Sequence, residues 1–159
     1  MIELSNVRKV YGDSTEAVSN VSLEVSQGET ATLVGPSGCG KTTLLTMLNR
    51  LTELTDGEII IDGTPISDHD KIELRRNIGY VIQEIGLFNH MTVGDNIGIV
   101  PDLRGWDEER KKERIEELLE LIQLPLDTKE RYPERLSGGQ QQRVGVARAL
   151  AAGPETTLM

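Results

Sequence analysis

The chain has 159 residues, enough for one domain with a real core, and its 17 basic and 26 acidic side chains leave a net charge of −9. That balance argues against non-specific nucleic-acid binding, which sets positive charge against phosphate, and an aromatic content of 3% argues against base stacking. A single cysteine, Cys39, excludes an internal disulfide or a multi-cysteine zinc site, and no apolar run approaches the ~18 residues of a spanning helix.

In chain order, residues 2–7 and, more clearly, Val21-Ser22-Leu23-Glu24-Val25 alternate apolar and polar, as half-buried strands do. The opening residues have neither the basic nor the apolar region of a secretory signal, so none is expected. Thr30-Ala31-Thr32-Leu33-Val34 is short and mostly apolar and predicts a more buried strand. A glycine-rich loop follows, and Leu44, Leu45, Leu48 and Leu51 then recur at helical spacing. Glu58–Ile61 lies between the turn signals Asp56-Gly57 and Asp62-Gly63 and predicts another strand. Residues 69–76 predict a short helix and 78–82 a buried strand. Asp107 is placed to cap a helix carrying Ile115, Leu118, Leu119 and Ile122 as one apolar stripe on a charged, solvated surface. A last helix is expected from about Gly138 to Ala152, stopped by Gly153 and Pro154. There is no internal repeat and no low-complexity linker.

Gly35-Pro36-Ser37-Gly38-Cys39-Gly40-Lys41-Thr42 matches G-x-x-x-x-G-K-[ST] at every fixed position. Glycines let consecutive backbone N–H groups turn inward around phosphate oxygens, and the helix that follows points its positive end the same way. Lys41 would reach the outer phosphates, the Thr42 hydroxyl would bind Mg²⁺, and Thr43 offers a second hydroxyl. Cys39 reads as a small loop residue whose alkylation would block the site. By itself the loop indicates a nucleoside triphosphate; kinases, GTPases, motors and transport ATPases all share it.

Leu136-Ser137-Gly138-Gly139-Gln140-Gln141-Gln142-Arg143 is more specific. Ser137, Gly138 and Gly139 open a helix and form a second anion-binding N-terminus. Downstream of a phosphate loop, Leu-Ser-Gly-Gly-Gln resembles the signature of the ABC (ATP-binding cassette) ATPases, and the likeness extends over the whole chain. The resemblance implies an α/β, P-loop NTPase fold: an ABC-type nucleotide-binding domain with an N-terminal antiparallel β region and a helical subdomain, incomplete at its C-terminus. Its implied parts are 1–83 (β region and P-loop core), 84–137 (helical subdomain) and 138–159 (signature helix and the start of the Walker B strand).

The same resemblance implies that ATP and Mg²⁺ are bound, with Tyr11 stacking on adenine and Gln83 helping to organise Mg²⁺ and the attacking water. Ser137, Gly138, Gly139 and Gln140 would act on ATP held by a second nucleotide-binding subunit in a head-to-tail dimer. Residues 74–88, His90 to Val93 and Ile97 to Pro101 resemble the ATPases of osmoprotectant importers for quaternary amines such as glycine betaine, carnitine or choline; Asn89 departs, a proline being usual there. Implied partners are transmembrane permease subunits and, indirectly, an extracytoplasmic solute-binding protein, with no nucleic acid, at the cytoplasmic face of the membrane. Alternatives are a non-transport ABC ATPase or a non-catalytic ATP-binding fragment.

By the same likeness the chain stops inside the strand leading to the Walker B aspartate, and Gly153, Thr156 and Thr157 depart from the family pattern. The 159 residues are therefore expected to hydrolyse ATP negligibly, to expose apolar sheet edges prone to aggregation, and to be a fragment of a longer gene.

Overall fold

A computed structural model of the chain describes residues 1–12, 14–81 and 86–159. Two compact units emerge, Met1–Arg75 and Arg76–Met159.

The first unit is built on a four-stranded antiparallel sheet. Strands β1 (Ile2–Val10), β2 (Glu16–Val25), β3 (Asp56–Ile61) and β4 (Thr64–Pro65) lie in the order β2-β1-β3-β4. Register follows the apolar alternation: Leu4 sits opposite Leu23 on one side and Ile59 on the other, and Ile2 lies between Val25 and Ile61. Leu4, Val7, Val18, Ile59 and Ile61 are buried. Helix α1 (Lys41–Leu48) lies against β2 and buries Leu44, Met47 and Leu48. It stops one turn before Leu51, because Asn49 ends it and Arg50 takes a left-handed φ of 54°; Leu51 is exposed rather than part of the stripe. Helix α2 (Lys71–Asn77) follows, and Asp70 Oδ1 accepts from the backbone N–H groups of Ile72 and Glu73 at 2.9 and 3.0 Å.

Residues 30–34 depart from expectation. No strand forms there, and Val34 is 90% exposed. A buried parallel strand draws its stability from neighbours on both sides. Among the described residues, no strand of the antiparallel sheet pairs with this segment.

The second unit holds β5 (Ile78–Tyr80), α3 (Val93–Leu103), α4 (Glu108–Leu121), α5 (Gly138–Leu150) and β6 (Thr156–Leu158). β5 and β6 pair in parallel, Ile78 with Thr156 and Tyr80 with Leu158. Of the two other positions expected in this strand, Val81 lies just past its end with its N–H donating to Leu158 O at 2.8 Å, and Ile82 lies outside the described residues. Val93 and Ile97 of α3, Leu118 and Leu119 of α4, and Val144 and Ala147 of α5 share one fully buried core. Burying a leucine or isoleucine of this kind contributes about 1.5–3 kcal/mol, so the stripe on α4 holds that charged helix in place. As the sequence suggests, Asp107 caps α4, its carboxylate accepting from Arg110 N at 2.9 Å. Thr92 and Asp95 form a reciprocal capping box on α3. Gly153 follows α5 with a left-handed φ of 66°. Among the described residues no helix is long and apolar enough to cross a membrane.

Candidate functional site

In the first unit, residues 35–40 form a loop, exposed from Gly35 to Cys39 and half-buried at Gly40, that enters α1 directly. Gly40 is the residue before the helix and has φ 92°, and a Cβ on it would lie 2.2 Å from the Ala17 carbonyl oxygen. Only glycine combines that backbone with that approach. The contact places the end of the loop against the start of β2, at the same end of the β1–β2 hairpin as Tyr11. Tyr11 lies in the connecting turn, where its N–H donates to Thr15 O at 2.9 Å. The residue is 44% exposed, with Lys9 Nζ 5.0 Å from the ring centroid. Tyr11, Gly35, Pro36, Ser37, Gly38, Cys39, Gly40, Lys41, Thr42 and Thr43 thus all belong to the first unit.

Lys41 folds back over the loop. Its ammonium donates to the carbonyls of Gly35 (2.9 Å) and Pro36 (2.8 Å) and lies 3.5 Å from Cys39 Sγ. Among the described residues no carboxylate pairs with it. An ammonium held by neutral carbonyls and open to water is a cation awaiting an anion. The first turn of α1 contains no acidic residue that would oppose one. Thr42 is exposed beside it, and Thr43 is half-buried, its carbonyl accepting from Thr46 Oγ1 at 2.9 Å. The glycine loop, the lysine and the helix terminus together fit a polyphosphate.

Ser137, Gly138, Gly139 and Gln140 open α5 in the second unit. Ser137 Oγ accepts from Gln140 N at 3.3 Å, while Gln140 Oε1 accepts from Ser137 N at 2.9 Å. The serine is therefore a working helix cap, and Gln140 completes a capping box. Both glycines are exposed, and a Cβ on either would meet open space. Gln141 steadies the turn from behind, donating to Pro133 O at 3.0 Å and Leu136 O at 3.2 Å. The signature turn is a presented backbone surface on a rigid base. Gln83 lies outside the described residues.

Two residues of the second unit escape the motif reading. Asn96 is fully buried, and its side chain holds the backbone of the 88–92 segment: Oδ1 accepts from Phe88 N at 2.8 Å, while Nδ2 donates to Phe88 O at 3.1 Å and Thr92 O at 2.8 Å. Arg148 on α5 donates to Gly86 O at 2.7 Å, and burial pushes its guanidinium pKa down. Each has a trace in the sequence. Asn96 interrupts the buried face carried by Val93 and Ile97, and Arg148 adjoins the alanines and valine of the buried α5 face.

Residues 18–159 match the family described as ABC transporter. The choline transport ATP-binding protein OpuBA of Bacillus subtilis is 55% identical over all 159 residues, and the chain covers 42% of its length. The osmoprotectant import ATP-binding protein OsmV of Salmonella typhimurium is 52% identical, with the chain covering 43% of it. An ATP-binding cassette solved as a dimer in a post-hydrolysis state with ADP and phosphate superposes with a TM-score of 0.87 at 37% identity, over 97% of this chain and 71% of that one. The chain therefore spans less than half the length of these curated relatives. A family match over nearly all its residues, joined to the phosphate loop and signature turn just described, shows that the chain belongs to the ABC transporter family.

Proposed function

We propose that this chain is the nucleotide-binding part of the ATP-binding subunit of an ABC importer, with quaternary-amine osmoprotectants as the transported class. The observation that carries ATP binding is the un-neutralised Lys41 ammonium set in the Gly35–Thr42 loop at the start of α1. The backbone of residues 35–40 would hold phosphate oxygens, Lys41 would neutralise them, and Thr42, with Gln83, would hold Mg²⁺. Tyr11 offers an exposed ring, at the same end of the hairpin as the loop, for the adenine. When bound, Mg²⁺ supplies charge neutralisation to the outer phosphates. The exposed Ser137–Gly139 turn would meet the nucleotide of a second subunit.

The division into a β and P-loop core (1–83), a helical subdomain (84–137) and a signature helix (138–159) belongs to the same proposal. So do a head-to-tail pairing of two subunits, a transmembrane permease, a solute-binding protein acting through it, and residence at the cytoplasmic face of the membrane. The substrate class is supported by identity to transporters named for choline and osmoprotectants.

Binding of a fluorescent ATP analogue with Mg²⁺ tests the nucleotide site. Lys41→Ala should weaken it by about ten- to a hundredfold, the effect of losing a charged hydrogen-bond donor. Equal binding by the variant would remove the assignment. Co-purification with a permease tests the transport half.

A further inference from the structure

The segment that follows residue 85 is held from two sides within the second unit. From α5, the Arg148 guanidinium donates to Gly86 O at 2.7 Å and lies 5.9 Å from the centroid of the Phe88 ring. From α3, buried Asn96 takes both the N–H and the carbonyl of Phe88. A backbone carbonyl, an aromatic face and a cation thus meet at one point, and a cation over a ring is attracted by the ring's quadrupole. Arg148 is ten residues along α5 from Gly138, about 15 Å of rigid helix at the standard rise.

We propose that Arg148 is a positioning residue: it locks the 86–88 segment to the signature helix, so that this segment, α5 and the exposed Ser137–Gly139 turn keep one orientation. The consequence for function rests on the assignment of the signature turn to a second subunit's nucleotide. Holding the turn in place would matter for pairing of two chains around ATP and not for capture of ATP by Lys41. Arginine suits the position because its planar fork can donate to a carbonyl while presenting a face to the ring; lysine offers a point charge alone.

The test uses the full chain with Phe88, its one phenylalanine, replaced biosynthetically by 4-fluorophenylalanine. Arg148→Gln should move the fluorine resonance and weaken Mg-ATP-dependent self-association about tenfold, within the usual range of coupling between sites, while binding of the ATP analogue stays within twofold. Arg148→Lys, which keeps the charge, should retain the association better than Arg148→Gln, and circular dichroism confirms that each variant is folded. An unmoved resonance, or self-association equal to wild type in a folded Arg148→Gln, overturns the proposal. So does an equal loss of analogue binding and association. If wild type itself neither binds the analogue nor associates, the functional assignment fails, and the lock is then judged on the fluorine shift alone.

Discussion

Asn96→Ala is the most informative single change in the second unit. The wild-type amide is fully buried and serves four backbone groups in the 88–92 segment: Phe88 N–H, Phe88 C=O, Met91 C=O and Thr92 C=O. The Thr92 carbonyl keeps a partner after truncation, because Asn96 N donates to it at 2.9 Å. The Phe88 carbonyl likewise keeps the Met91 N–H, which donates to it at 3.1 Å, so the groups that lose their partner among the described residues are the Phe88 N–H and the Met91 carbonyl. Each lost neutral bond costs about 1 kcal/mol, and a half-buried N–H left unsatisfied adds about 1 more, so the unit should lose about 3 kcal/mol. Urea unfolding followed by Trp106, the one tryptophan, measures this, since Arg110 stacks 3.6 Å from its ring within the same unit. A loss under about 1 kcal/mol would refute the claim that Asn96 organises the segment. Asn96→Asp sharpens the test. The new carboxylate would face the carbonyls of Phe88 and Thr92, which raises its pKa above the unfolded value of about 3.9. The folded state then binds the proton more tightly, so stability falls as pH rises from the unfolded towards the folded pKa. The variant should be closest to wild type in acid and furthest at neutral pH.

Gly40→Ala should abolish ATP-analogue binding and lower the melting temperature, because its Cβ would meet the Ala17 carbonyl at 2.2 Å in a left-handed backbone. Gly35→Ala should be mild, since its 2.7 Å neighbour is the Cys39 thiol, which can rotate away; analogue titrations and melting curves of the two variants decide whether backbone or side-chain clash governs the loop. Ser137→Ala should cost about 1 kcal/mol of stability through loss of the cap, measured by denaturant midpoint, and a change under a few tenths would contradict the capping box. The hydrogen bond from Lys129 holds the Glu116 carboxyl below its ordinary 4.5, so that pair contributes above that pH and is lost as pH falls through the depressed value. Lys129→Gln should therefore flatten the acid limb of the stability profile, and added salt should shrink the difference; an unchanged acid limb would exclude the pair as a contributor.

Local chemistry makes much of the molecule legible in its sequence. The alternation at 2–7 and 21–25, the turn pairs around Glu58–Ile61, the Asp107 cap and the Gly153 stop each need only neighbours within a turn or a strand, and each appears where the pattern puts it. The phosphate loop and the signature turn are equally local, so their residues were legible as candidate sites. Long-range partners settled the rest. Residues 30–34 have the composition of a buried strand, yet a strand exists only with something beside it, and here Val34 faces water. Helix α3 contains Gly94, Gly98 and Pro101, poor helix formers, and forms because Val93 and Ile97 are buried and Gly98 admits Lys111 and Ile115 of α4. Asn96 and Arg148 look like interruptions of apolar faces until their carbonyl partners, eight and 62 residues away, arrive against them. A repeating pattern can announce which face of an element is buried; what a lone polar group on that face is for depends on which distant backbone groups would otherwise be left without a hydrogen bond.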